Sequence, residues 1–298
     1  YLSPHMDRSK LTVETTAQVQ RIVFEGKRVV GVEFKQGKQV RTVRARKEVL
    51  LSAGAFQSPQ LLMLSGVGDS DELNKHGIPV VHHLPGVGEN FRDHAAPRLK
   101  WQITQKGVTY GDRSYGIRLA WEGLRYIFAK QGLLNLPSGP LLAFFRSQPS
   151  LATPDCQLHF VPFQISNTTT RALAREPGIT VPFYQLRPES TGSIHIKTNR
   201  ADDHPAIRFN FLSAQLDRQT MVAGIKFTRR LLNASALNAF RGVEMAPGPD
   251  VQTDDEILDY ARQVCETTFH PIGTCSIGQG ADSVVDPRLR IDSSKGGA

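Results

Sequence analysis

A chain of 298 residues can hold one large domain or two ordinary ones. Its 40% hydrophobic and 21% charged residues are those of an ordinary globular protein, and no apolar run approaches the roughly 20 residues of a membrane span. The charge of +8, from 36 basic and 28 acidic residues, is spread out; its densest group, Arg41, Arg44, Arg46 and Lys47, alternates as a solvated strand face does, which argues against a nucleic-acid partner.

Cysteines number three, Cys156, Cys265 and Cys275, far apart and without a C-x-x-C pair. Neither a disulfide framework nor a metal site is expected, and a reducing, cytoplasmic compartment fits, with peripheral membrane association left open. The opening Tyr1-Leu2-Ser3-Pro4-His5 has no start methionine and no leader pattern, and reads as an internal start.

Residues 11 to 45 read as a β-meander. Leu11–Val13, Val19–Phe24, Val29–Lys35 and Val40–Ala45 are short and rich in β-branched residues, with turns at 25–27 and 36–38. Val49-Leu50-Leu51 is long enough for a buried strand. The small residues Ser52-Ala53-Gly54-Ala55 follow, and Ser58-Pro59 marks the start of a helix carrying Leu61, Leu62 and Leu64 up to Gly66. Another helix is expected over Ser70–His76, capped by Asp69 or Ser70, then a shaped loop, Leu84-Pro85-Gly86-Val87-Gly88-Glu89-Asn90.

Beyond residue 98 the pattern becomes mainly antiparallel. Strands are expected over 99–104, 156–164, 181–186 and 192–198, and a helix over 115–130 with Leu119, Leu124, Ile127 and Phe128 on one side. Phe144, Phe145, Phe160, Phe163 and Tyr184 read as core first and pocket wall second. The clearest helix spans 213–235, capped by Ser213, with Arg218, Lys226, Arg229 and Arg230 outside; Thr253 to Glu256 is a capping box that opens another.

On geometry alone, residues 48–68 could belong to any βα unit, and His94 and His270 would be structural histidines. The literal string shifts this reading. Residues 52–68, SAGAFQSPQLLMLSGVG, resemble the second signature of the glucose–methanol–choline (GMC) oxidoreductases, which are FAD-dependent. Leu84–Asn90 with Asp93-His94, and His270-Pro271-Ile272-Gly273-Thr274-Cys275, continue the resemblance in order along nearly the whole chain.

The resemblance implies an α/β fold (α+β overall). A partial FAD-binding, Rossmann-like domain with a β-meander would occupy 1–97. A substrate domain, a mainly antiparallel sheet backed by helices, would fill 98–245, and 246–298 would return to the FAD-binding domain with the catalytic segment. Val19 would lie with its backbone against the adenine of FAD, and Ala53 and Gly54 would contact the cofactor at the end of the central strand. Asn90 and His94 are polar candidates near the flavin. His270 would be the general base that takes the hydroxyl proton while hydride passes to the flavin, work that suits an imidazole titrating near neutrality.

Two parts of the family pattern are missing. No G-x-G-x-x-G phosphate turn occurs, and Asp292–Ala298 departs from the family's closing segment, which carries a second active-site histidine or asparagine. That tail reads as disordered. The reading is a fragment of an enzyme that oxidises an alcohol to an aldehyde or ketone with FAD, the fragment alone binding FAD weakly or not at all and lacking activity. A flavin-containing hydroxynitrile lyase and a non-enzymatic degenerate α/β binding module are the alternatives. A serine hydrolase is excluded by the lack of G-x-S-x-G. Which alcohol, which electron acceptor and which oligomeric state stay open.

Overall fold

A computed structural model describes residues 2–167, 170 and 172–291; the tail at 292–298, expected to be disordered, lies outside the described residues. The fold is mixed α/β and comprises two compact units: Tyr1–Arg92, Thr191–Phe209 and Pro271–Ala298 in the first, Asp93–Ser190 and Asn210–His270 in the second. Residues 246–270, grouped by the sequence reading with the first segment, fall in the second unit, and 191–209 fall in the first. Among the described residues no helix is long and apolar enough to cross a membrane.

The first unit opens with an antiparallel meander, β1 (Ala17–Glu25), β2 (Arg28–Gln36) and β3 (Gln39–Arg44), in that spatial order. The arginines of β3 lie on a strand exposed throughout, where Arg44 pairs with Glu25 at 2.7 Å and Arg41 with Glu14 at 3.7 Å. Two expected strands are absent. Residues 11–13 and Val49-Leu50-Leu51 pair with no described segment, and Leu50 is 81% exposed. Propensity alone does not make a strand; the hydrogen-bonding partner does.

Helix α1 (Gly54–Leu64) begins five residues before the expected start, so Pro59 lies inside it and Ser58 is not its N-cap. The Ser58 hydroxyl instead accepts the Ala53 N–H at 3.1 Å. A proline inside a helix cannot donate to the carbonyl four residues back, here Ala55. That carbonyl accepts from the Thr274 hydroxyl at 2.6 Å, which replaces the missing bond. Helix α2 (Ser70–Lys75) is capped by Asp69, whose carboxylate accepts the N–H groups of Asp71 and Glu72. Leu62, Met63, Leu73, Leu84, Val87 and Val284 form the core of this unit, and Ile22 of β1 joins it by donating its N–H to Ser65 Oγ at 2.8 Å.

The second unit is built on a five-stranded antiparallel sheet of β4 (Arg98–Ile103), β5 (Leu141–Phe145), β6 (Cys156–Phe160), β7 (Gly178–Gln185) and β8 (Arg241–Ala246), in spatial order β8-β4-β7-β6-β5. Between β4 and β5 runs α3 (Gly116–Ala129). Helices α4 (Gln215–Leu232) and α5 (Asp254–Val264) supply apolar residues to one core with the sheet. Strand alternation decides which residues meet them: Leu99, Trp101, Leu158, Val181 and Phe183 pack with Met221, Ile225, Ile257 and Ala261. Phe145 stacks on Phe227 at 3.9 Å.

Some expectations about α4 do not hold. Ser213 makes no cap, because the helix starts at Gln215 behind Ala214, whose N–H goes to Ser190 Oγ at 3.0 Å. Arg229 is not outside: it reaches Glu244 at 2.9 Å and the carbonyls of Gly248 and Val251, a set of acceptors that lets a guanidinium lie inward. The capping box at Thr253 and Glu256 forms as its spacing predicts.

Candidate active site

Four imidazole and phenol rings come together in the second unit. The register of the sheet places His159 opposite Leu142, and Tyr184 opposite Gln157, all on the face turned away from α4 and α5. His159 Nε2 lies 2.9 Å from the Tyr184 hydroxyl. His94 stacks on Tyr184 with ring centroids 4.5 Å apart, and His270 stands edge-on to both, 5.4 Å from His94 and 6.1 Å from Tyr184.

What holds the two loop histidines is a buried carboxylate. Asp93 accepts the backbone N–H of His94 at 2.7 Å and of His270 at 3.1 Å. It also accepts the Thr268 hydroxyl at 3.4 Å, and the Thr267 hydroxyl on its other oxygen. The chain before His270 is bent to allow this: Phe269 sits at a φ of +62°, its N–H returning to Thr267 Oγ at 2.9 Å. A short antiparallel pairing of Glu266-Thr267 with Ala95-Ala96 brings the two segments alongside.

The hydrogen bonds dictate a tautomer for His270. The Leu186 carbonyl, 3.3 Å from His94 Nε2, can only accept, so His94 carries its proton on Nε2 and presents a bare Nδ1. That Nδ1 faces His270 Nδ1 at 3.4 Å, which must then bear a proton. The Thr268 hydroxyl, 3.2 Å from the same nitrogen, spends its own hydrogen on Asp93 and accepts there too. Both contacts leave His270 Nε2 as a bare acceptor on an exposed ring. Burial holds the His94 and His159 pKa values below the usual imidazole value, and a proton added to His270 would act in the same direction on each, while burial raises that of the Tyr184 phenol. The arrangement can therefore take a proton at one nitrogen, beside neutral imidazoles and with a carboxylate two bonds behind.

The other candidates lie in the first unit. Val19 pairs with Phe34 just before a β-bulge at Gln20. Ala53 ends the approach to α1, and Gly54 begins the helix at a φ of +81°, with nothing within 4 Å of where a Cβ would stand. No side chain caps this helix start, so its N–H groups are open to an anionic or polar group. Asn90 adopts a φ of +55° and accepts Arg92 Nε at 3.2 Å. The segment Ile272–Thr274 runs alongside it: Arg92 and Ile272 exchange backbone hydrogen bonds of 2.9 Å, and Gly88 N–H reaches the Thr274 carbonyl. Gly273 is so close that a Cβ would stand 2.0 Å from the Asn90 carbonyl oxygen.

Of the aromatic five, Phe145 is core and Tyr184 belongs to the histidine cluster. Phe144 is exposed rather than core, and Phe160 borders a cavity of ≈ 230 Å³ beside Trp101 and Leu232. Sequence reasoning gave no role to Asp93, Thr268 or His159. Strand alternation in Cys156–Phe160 was the available signal for His159, since it sets that residue opposite in direction to Leu158.

Comparison with known proteins gives a consistent family. Two profiles, both described as GMC oxidoreductase, match residues 1–96 and 188–296. The mitochondrial choline dehydrogenase of Homo sapiens is 38% identical over 296 residues, 98% of this chain and 49% of that protein. The oxygen-dependent choline dehydrogenase of Pectobacterium carotovorum is 37% identical over 301 residues, 99% of this chain and 53% of the relative. The chain thus spans about half the length of the curated relatives it matches. Among solved structures, pyridoxine 4-oxidase from Mesorbium loti superposes with a TM-score of 0.81 at 24% identity, over 97% of this chain and 52% of that one. A variant of the Aspergillus oryzae formate oxidase gives 0.85 at 24%, over 96% and 55%. These two likenesses speak for the fold.

Proposed function

The chain belongs to the GMC oxidoreductase family, and on that premise we propose that it serves the FAD-dependent oxidation of an alcohol to an aldehyde or ketone, with His270 as the general base. The observation that carries this reading is the placing of His270 Nδ1 3.4 Å from His94 and 3.2 Å from Thr268, beside the buried Asp93, which favours a proton on Nδ1 and leaves Nε2 to accept. A base must match its task in protonation state before it matches in strength.

FAD, when bound, accepts the hydride equivalent that leaves the carbinol carbon. Ala53, Gly54, Val19 and Asn90 are the residues we assign to hold it; the uncapped start of α1 and the open space at Gly54 support that assignment. His270 Nε2 takes the hydroxyl proton. The imidazolium that results is offset by Asp93 through Thr268, while His94 and His159 stay uncharged and add no repulsion. The Tyr184 hydroxyl with His159 offers a second polar contact to the substrate oxygen.

The relatives named above are choline dehydrogenases, so choline heads the panel of alcohols to be tried. Leu142 and Phe144, exposed on the same sheet face as His159, support including alcohols with apolar substituents. A cytoplasmic location is part of the proposal, resting on the three unpaired cysteines.

The test is His270→Ala in a form of the protein that holds FAD stoichiometrically and turns over an alcohol. Loss of a general base lowers kcat by ~10²- to 10⁴-fold, and the remaining rate should climb with pH as hydroxide takes over. A variant within about threefold of wild type would remove His270 from the chemistry. Reduction of a dye on adding alcohol separates this reading from a lyase. Because the sequence holds no G-x-G-x-x-G turn, we expect the purified 298-residue chain to hold FAD weakly. Stoichiometric yellow absorbance would overturn that part alone.

A further inference from the structure

Among the described residues, helix α3 is packed chiefly by the short segments 110–113 and 133–135 beside it. Its periodicity predicts one apolar side facing a core, yet Ile117 is 87%, Trp121 62% and Phe128 83% exposed, with Leu124 between them also exposed. These four recur at i, i+4, i+7 and i+11 and make one continuous stripe along the helix. The sole buried residue of the helix is charged. Glu122 turns inward to Arg113 and Arg125 and accepts the Leu133 N–H at 2.7 Å.

The charges around the stripe are sorted. Residues 106–130 contain five cations, Lys106, Arg113, Arg118, Arg125 and Lys130, and two carboxylates, Asp112 and Glu122. Both carboxylates are nearly hidden, at 6% and 4% side-chain exposure, whereas Lys106, Arg118 and Lys130 lie at the surface. The Lys130 ammonium rests 4.9 Å above the Tyr126 ring, and Arg118, half-exposed, pairs with Asp112 at 3.4 Å. A tryptophan-centred apolar face bordered by cations, with the acids turned in, is the arrangement that lies in a lipid headgroup layer.

We propose that α3 is a membrane-surface anchor that lays Ile117, Trp121, Leu124 and Phe128 into the boundary of an anionic bilayer, with Lys106 and Lys130 against the lipid phosphates and Arg118 shared between them and Asp112. A second copy of the chain is the poorer occupant on charge grounds. A twofold contact sets each patch against itself, and here it would bring cations towards cations with no exposed carboxylate of 106–130 to meet them. An anionic surface meets Lys106 and Lys130 directly and leaves the inward ion pairs of Arg113, Arg118 and Arg125 in place.

The experiment is sedimentation of the purified chain with vesicles of phosphatidylcholine alone and of phosphatidylcholine mixed with phosphatidylglycerol, followed by tryptophan emission. Of the two tryptophans Trp101 is buried, so a blue shift on adding vesicles reports Trp121. We expect binding to the mixed vesicles, weakening in about 0.5 M salt, and about tenfold or greater loss of partition in Trp121→Glu and in Phe128→Glu with unchanged circular dichroism. Both positions are exposed, so neither change disturbs packing. Absence of binding by the wild-type chain overturns the proposal, as does binding that both variants retain. A dimer seen by light scattering without lipid and dissolved by Trp121→Glu, with no vesicle binding, gives the face to a second copy and overturns it too.

Discussion

Asp93→Asn isolates the role of charge at the point where the histidine segments are fastened. The substitution keeps the shape of the side chain. Two backbone N–H groups, from His94 at 2.7 Å and His270 at 3.1 Å, still find an oxygen. What changes is that the acceptor is neutral. A hydrogen bond to a charged group contributes about 1.5–3 kcal/mol and a neutral one about 0.5–1.5, so each of the two loses about 1 kcal/mol. The Thr267 hydroxyl must also turn from donor to acceptor to meet the new amide. We expect a total loss of about 2 kcal/mol, read as a lower urea midpoint followed through the buried Trp101. Asp93→Ala removes the acceptor altogether and leaves two N–H groups unpaired, at about 1–3 kcal/mol each, for a loss of about 4 kcal/mol. An Asn variant within about 0.5 kcal/mol of wild type, or an Ala variant no worse than Asn, would show that the carboxylate does not hold this segment.

Other expectations can be checked singly. In nitrogen NMR of labelled histidine, His270 should carry its neutral proton on Nδ1, and a proton on Nε2 would reverse the tautomer argument. The depressed pKa values of His94 and His159 mean that the unfolded chain binds protons more readily than the folded one below the ordinary imidazole value. Their contribution to stability is therefore full above about pH 6.5 and is lost as pH falls from there through the folded values. The urea midpoint should drop over that window and flatten in a His94→Gln, His159→Gln double variant; a wild-type midpoint that holds steady would count against it. Gly224→Ala would put a methyl 2.0 Å from the Phe183 ring, costing about 1–3 kcal/mol, with part regained in combination with Phe183→Leu. An unchanged melting temperature would mean that α4 shifts without penalty.

The parts of the fold that the residues made legible are those whose causes lie close together in the chain. The meander β1–β3 is set by alternation and two short turns. The caps at Asp69 and Thr253 are set within three residues. Where the cause is distant, the reading missed. Val49–Leu51 has strand propensity but no described partner. Leu119, Leu124, Ile127 and Phe128, read as one side of α3, are all exposed, because periodicity says that a face is apolar and not what covers it. His270 stood out through its motif. Thr268 and His159 did not, and Asp93 in its motif and Tyr184 as a pocket wall were not set beside it, since sheet register and a pairing between segments some 170 residues apart bring them into one cluster.

Pro59 and Thr274 are separate residues that act as one device. A helix with alanine at 59 would close its own bond to Ala55, and the hydroxyl at 274 would become dispensable; a helix that keeps the proline needs the hydroxyl from across the unit. Their substitutions should therefore be non-additive, with Thr274→Val far milder in a Pro59→Ala background. The hydroxyl at 274 thus answers to a proline some 215 positions back in the chain, and a change in the helix alters what the His270 segment is required to supply.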